Sequence, residues 1–189
     1  SNVYAVAVEN CKDGGDDLDL VVARLFADKS FKDQVNLSSV NSVNWGRVLM
    51  QAVHYFYGYL KTVDEIGEKV AFSVPTGAFG NLFGGYLART MGLPIEALII
   101  ANNRNGAIHR ALTQGTLTKQ DLLQTVSSAI DIVVPYNFWR FLYFVSDKDP
   151  AQLRTWMRQF NNTGSVSFDD VTLKALRHGV IPTRIDDAQ

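Results

Sequence analysis

A single cysteine, Cys11, stands among 189 residues, so no internal disulfide can form and the composition fits a reducing compartment. Charge is almost balanced, with 18 Lys and Arg against 19 Asp and Glu, which removes the electrostatic footprint of a nucleic-acid or anionic-membrane binder. No apolar run approaches the ~20 residues that span a bilayer. The first residues show no basic n-region of a signal peptide, and a cytoplasmic location is expected. His54, His109 and His178 are scattered at spacings that fit no metal motif, and there is no G-x-S-x-G elbow. What is present, 47% apolar residues with 20% charged, suffices for one substantial core or for one domain with an appendage.

Periodicity divides the chain into an α/β portion, residues 1–115, and a helix-rich portion, residues 116–189, packed on the same domain. Residues 3–8 read as a short buried strand. Residues 16–28 read as a helix, with Leu18, Val21, Val22, Leu25 and Phe26 as its stripe. A polar stretch through Ser38, Ser39, Asn41 and Ser42 leads to a strongly periodic helix over 44–60, with Trp45, Val48, Leu49, Ala52, Val53 and Phe56 on one face. Strands are expected at 70–74 and 97–101. The helix between them is stopped by Gly92 and Pro94. Strands alternating with helices indicate a parallel sheet flanked by helices. Gly84 and Gly85 inside that helix point to close approach of another backbone or a ligand, with helix–helix packing the simpler cause.

Beyond Gly115, helices are expected at 119–130, at 151–160 and after Ser167-Phe168-Asp169-Asp170, the last closed by Gly179. Residues 161–165, N-N-T-G-S, form the linker candidate. The aromatics of 138–145 read as core.

Ser73 to Asn81, S-V-P-T-G-A-F-G-N, join the second strand to its helix. Strand, glycine loop and helix together grip phosphate, because loop N–H groups turn inward and the positive end of the helix dipole lies behind them. The alternative is a tight βα turn in which Gly77 and Gly80 supply dihedrals that other residues avoid. The loop lacks the G-K-[ST] ending of a nucleotide P-loop and the G-x-G-x-x-G spacing, so ATP and NAD are poor candidates.

Four ordered blocks carry a resemblance to the threonine synthases, pyridoxal-phosphate enzymes of fold type II. Residues 40–47, V-N-S-V-N-W-G-R, resemble the family's V-N-S-[IV]-N-W-x-R. Residues 74–81, V-P-T-G-A-F-G-N, are similar to its cofactor-phosphate loop V-P-[ST]-G-N-F-G-[DN]. Residues 101–115, from A-N-N-R-N through Arg110 to Gly115, follow A-x-N-x-N…R-x-L-x-x-G. Ala129-Ile130-Asp131-Ile132 with Pro135, Asn137 and Arg140 matches A-M-D-[IV]…P-x-N-x-x-R. The resemblance implies part of a fold-type II large domain and a pyridoxal 5′-phosphate cofactor that acts as electron sink. It also implies conversion of O-phospho-L-homoserine and water to L-threonine and phosphate. The cofactor-binding residues would be Gly77, Ala78, Phe79, Gly80 and Asn81, through their backbone N–H groups. Asn41, Ser42, Asn44 and Arg47 would face the substrate, Arg47 serving either as partner of an anionic group or as a structural arginine.

Ala78 stands where the family usually has asparagine. Ser30-Phe31-Lys32-Asp33 imitates the family's F-K-D lysine motif, but by position it matches the variable stretch before the V-N-S block, so Lys32 reads as a surface lysine. The Schiff-base lysine and the C-terminal tail are therefore expected outside this chain, which reads as an internal fragment, inactive alone and prone to self-association through faces exposed by truncation. A phospho-lyase relative and a non-catalytic remnant used for assembly stay open as alternatives.

Overall fold

Three short parallel strands organise the chain in the computed structural model, which describes residues 2–11 and 15–186. Two units, Ser1–Ser38 and Ser39–Gln189, are distinguished. In the first, the strand expected at 3–8 is not formed. Residues 2–11 carry no regular structure, and Val3, Tyr4 and Val6 are exposed. β-Branched residues favour a strand only where a neighbouring strand supplies a ladder, and no described sheet includes them. Helix α1 (Gly15–Ala27) forms where expected, although the side chain of Asp16 lies outside the described residues. Helix α2 (Lys29–Val35) follows, its first turn capped by Asp28, which accepts from the Phe31 N–H at 3.0 Å.

The second unit is an α/β layer built on β1 (Val70–Pro75), β2 (Ile95–Asn102) and β5 (Val180–Arg184), in the order β1-β2-β5. Both ladders are parallel, with Val74 opposite Ile100 and Ile100 opposite Pro182. β2 lies in the middle, and Leu98 and Ile100 are fully buried there. β5 escapes sequence reading because Pro182 argues against a strand. On an edge strand its missing N–H breaks no ladder.

Helix α3 (Trp45–Thr62) opens with Asn44 as N-cap, accepting from the Gly46 N–H at 2.9 Å. It buries Val48, Ala52, Tyr55 and Tyr59, whereas Leu49 and Val53 of the expected stripe stay exposed. The burial is rotated because helix α4 (Gly80–Thr90) packs backbone to backbone against it. A Cβ on Gly84 would lie 3.2 Å from the Ala52 nitrogen, and one on Gly85 would lie 2.6 Å from the Tyr55 ring. Helix–helix contact is thus the reason for the paired glycines.

Helix α5 (Ala107–Gln114) leads into β3 (Thr116–Thr118), which pairs antiparallel with β4 (Ser165–Ser167) through the buried Leu117 and Val166. Residues 161–165 are therefore not a linker. They end helix α7 (Pro150–Thr163), turn at Gly164 (φ 71°) and begin β4. Helix α6 (Phe138–Val145) buries Phe138, Phe141 and Leu142, as its aromatic content implies, and α8 (Asp170–Arg177) is capped by Asp169. Residues 119–130 do not form the expected helix. Apart from a 3-10 turn at Ser128–Ile130 they are irregular, for a reason found beside the glycine loop. No helix among the described residues is long and apolar enough to cross a membrane.

Candidate functional site

β1 delivers the chain to the carboxyl edge of the sheet, where open parallel sheets bind ligands. Buried Thr76 is pinned there on three sides. Its N–H donates to the Ala101 carbonyl (2.9 Å), its hydroxyl to the Val74 carbonyl (2.7 Å), and its carbonyl accepts from Asn102 Nδ2 (2.5 Å).

The loop then turns through Phe79 at φ 68°, ψ 0°, a left-handed conformation that costs a non-glycine residue about 1–2 kcal/mol. The Phe79 ring holds it there, fully buried with centroids 5.2 Å from Phe138 and 5.3 Å from Phe141. Gly77 and Gly80 do not supply positive φ, contrary to the turn reading. They are required by crowding: a Cβ on Gly77 would meet Ile130 Cα and Ile132 Cγ1 at 2.9 Å, and one on Gly80 would meet Ser42 Cβ at 3.0 Å.

Among the described residues no acceptor meets the main-chain N–H groups of Gly77, Ala78, Phe79, Gly80 or Asn81, the run that opens α4. The same turn faces a cavity of about 150 Å³ lined by residues 75–82 with Ser42, Arg47, Gln51 and Ile130. A neighbouring hollow of about 340 Å³ shares Pro75 and Ile130 and is bounded by Asn102, Asn103 and Ser127. Unpaired amides and the dipole of α4 make the smaller cavity electropositive without any lysine in its wall.

The segment before α3 is tied to the start of α6. Arg140 donates to the Ser42 carbonyl (2.7 Å), the Val43 carbonyl (2.5 Å) and Asn137 Oδ1 (2.5 Å), and it lies over the Trp45 ring. Burial lowers its pKa, opposed by Tyr136. Asn137 Nδ2 donates to Ser42 Oγ (3.1 Å), and Tyr136 donates to Asn41 Oδ1 (2.8 Å). Of the four residues expected to face substrate, Ser42 and Arg47 line the cavity. Asn44 commits its side chain to capping α3 and to the Ser39 carbonyl, and Asn41 Oδ1 serves Tyr136 and the Val43 N–H. Arg47 donates to the Val40 carbonyl at 2.6 Å. Asn81 turns its Oδ1 to the Tyr55 hydroxyl (3.0 Å). Lys32 lies on α2 in the other unit, exposed, its ammonium over Phe26.

An asparagine cluster beyond β2 explains residues 119–130. Asn105 accepts from the Leu123 N–H (2.9 Å) and donates to its carbonyl (2.8 Å). Asp131 accepts from Asn103 (2.7 Å), Asn105 (3.1 Å) and both the hydroxyl and the N–H of Thr125 (2.8 and 3.0 Å). Side chains thus take the main-chain groups a helix would have used. The cluster sets Ile130 against Gly77.

At the same edge His109 has its pKa lowered, first by burial and then by Arg184 and Arg110. Its neutral form is therefore favoured in the folded chain. The stability this contributes is present above the ordinary value near 6.5 and is lost as pH falls through the lowered one. Arg184→Gln should raise the His109 midpoint in an NMR titration, and an unmoved midpoint would contradict this placement of charge.

No family model matches the chain. Over 191 residues it is 38% identical to threonine synthase-like 2 of Homo sapiens, covering 98% of this chain and 39% of the relative. It is 35% identical over 196 residues to threonine synthase of Eremothecium gossypii, covering 98% and 38%. Among solved structures it is similar to pyridoxal-phosphate-bound threonine synthase from Brucella melitensis, with TM-score 0.85, 38% identity and coverage of 98% of this chain and 39% of that one. Yeast threonine synthase follows with TM-score 0.79 and 32% identity, covering 92% and 36%. The chain spans less than half the length of each.

Proposed function

We propose, for a chain that is similar over 98% of its length to one segment of threonine synthases, that residues 77–81 hold the phosphate of pyridoxal 5′-phosphate. The whole protein is read as a lyase that converts O-phospho-L-homoserine and water to L-threonine and phosphate. One observation carries this reading: five successive amides without acceptors, at the positive end of an 11-residue helix and beside a cavity.

The residues present fit the group. Gly77, Ala78, Phe79, Gly80 and Asn81 would each donate a main-chain N–H. The buried Phe79 ring holds the turn in its left-handed form before a ligand arrives, so little ordering remains to be done on binding. Arg47 adds positive charge to the cavity wall, and Ser42, fixed by Arg140 and Asn137, adds a hydroxyl. When bound, the cofactor supplies the electron sink for proton removal next to the substrate amine. No lysine lines the cavity, so this segment's share is to grip the anion and shape its pocket. The lysine that forms the imine is expected outside residues 1–189, and the isolated chain is expected not to make threonine. Ala78, where the resembling family usually carries asparagine, is the residue that favours the phospho-lyase alternative. Product analysis of the whole protein separates the two.

Titration of the chain with pyridoxal 5′-phosphate, followed by absorbance, tests the loop. Inorganic phosphate should compete, and pyridoxal, which lacks the phosphate, should bind at least about tenfold more weakly, as loss of one or two charge-assisted hydrogen bonds implies. Equal affinity for the two aldehydes would sink the assignment.

A further inference from the structure

We propose that Gln51 is an additional positioning residue of this site, its carboxamide donating to the phosphate bound by the loop. The proposal rests on the loop reading above.

Gln51 lies one helical turn beyond Arg47 on α3, and this i, i+4 spacing puts both on one face. Both line the loop cavity. Gly84 of α4 brings the helices together at this residue, since a Cβ there would stand 3.1 Å from Gln51 Cβ. Gln51 Oε1 is shut off from solvent with no donor among the described residues, whereas Nε2 is not enclosed in this way.

The neighbouring carboxamides behave otherwise. Asn102 donates to the Thr76 carbonyl and accepts from the His109 N–H, and Asn137 donates to Ser42 and accepts from Arg140. Asn105 is satisfied at both ends by Leu123. Gln51 alone of these four pairs neither end of its carboxamide: Oε1 is enclosed, whereas Nε2 is not and stays free to donate to a group that enters the cavity. The loop selects an anion, and the amide's N–H groups are the complement of a phosphate oxygen.

Gln51→Met keeps the side-chain volume and removes the amide. It should lower affinity for inorganic phosphate, measured by calorimetry, and for pyridoxal 5′-phosphate by about tenfold. Affinity for pyridoxal should not change. The ligand-free variant should melt no lower than the parent, because an unpaired polar group has gone. Gln51→Glu should bind phosphate more weakly still near neutral pH and recover as its carboxyl protonates, a pH dependence a packing role would not produce. Unchanged phosphate affinity in Gln51→Met, while the parent binds, overturns the role of Gln51 and leaves the loop reading standing. A parent chain that binds neither phosphate nor pyridoxal 5′-phosphate overturns both. If Gln51→Met fails to fold, the pH profile of Gln51→Glu decides, and a flat profile rejects the proposal.

Discussion

Gly77→Ala should cut affinity for pyridoxal 5′-phosphate by about a hundredfold or more while destabilising the chain by about 1–3 kcal/mol, the usual range for overpacking. The methyl group would come within 2.9 Å of Ile130 Cα and of Ile132 Cγ1. A flexible side chain can step aside at small cost, but Ile130 presents its main chain, and the Asp131 network beside it holds that main chain in place. The loop must move instead, and it carries the amide run with it. Misaligning two donors to a dianion, each worth about 1.5–3 kcal/mol, accounts for the hundredfold loss. Because Gly77 does not have positive φ, the effect is one of space, not of backbone conformation. Restoring space with the double variant Gly77→Ala, Ile132→Val should recover part of the affinity. Normal binding by Gly77→Ala would show that the loop tolerates displacement and that its amides do not set the affinity.

Asp131→Ala should cost about 3–4 kcal/mol, a fall in melting temperature of roughly 10 °C for a chain of this size. The carboxylate is the shared acceptor of Asn103, Asn105 and Thr125, and Asn103 and Asn105 are buried. Removing it takes one acceptor from each of two buried amides, leaves the Thr125 N–H without its acceptor and frees residues 119–130 from the sheet edge. Asp131→Asn keeps the shape but turns one acceptor oxygen into a donor that faces other donors, so it should lose roughly half as much. Thermal and urea unfolding read both. If Asp131→Ala melted within a degree or two of the parent, residues 119–130 would be held by apolar contacts and not by this network. Phosphate affinity should fall along with stability, since Ile130 closes one side of the loop cavity.

Legibility in the sequence follows the range of the forces involved. β1, β2, α3 and α4 were readable because a 2.0 or 3.6 periodicity and a terminal cap are set by residues a few positions apart. The glycine loop was readable because strand, glycines and helix are consecutive, and the family resemblance then suggested the ligand proposed for it. Residues 3–8 misled because β-branched residues state a preference that only a partner strand can satisfy. Residues 119–130 misled because Asn103, Asn105 and Asp131, unremarkable in local patterning, take over the main-chain groups of Leu123 and Thr125. Gln51 gave one readable sign, its four-residue offset from Arg47, and nothing in the sequence says that its amide is left unpaired.

Composition, periodicity and four motif blocks were enough to define an α/β chain that resembles the threonine synthases, the stretch proposed to meet phosphate, and Lys32 as a surface lysine. Folding in three dimensions settled the rest. It put the left-handed turn on Phe79 and the crowding on Gly77 and Gly80, added β5 to the sheet edge, and placed Ser42, Arg47 and Gln51 around one cavity. The division has a physical cause. Local sequence dictates which main-chain groups an element can satisfy internally, whereas packing between residues far apart in the chain decides which donors are left over to hold a ligand.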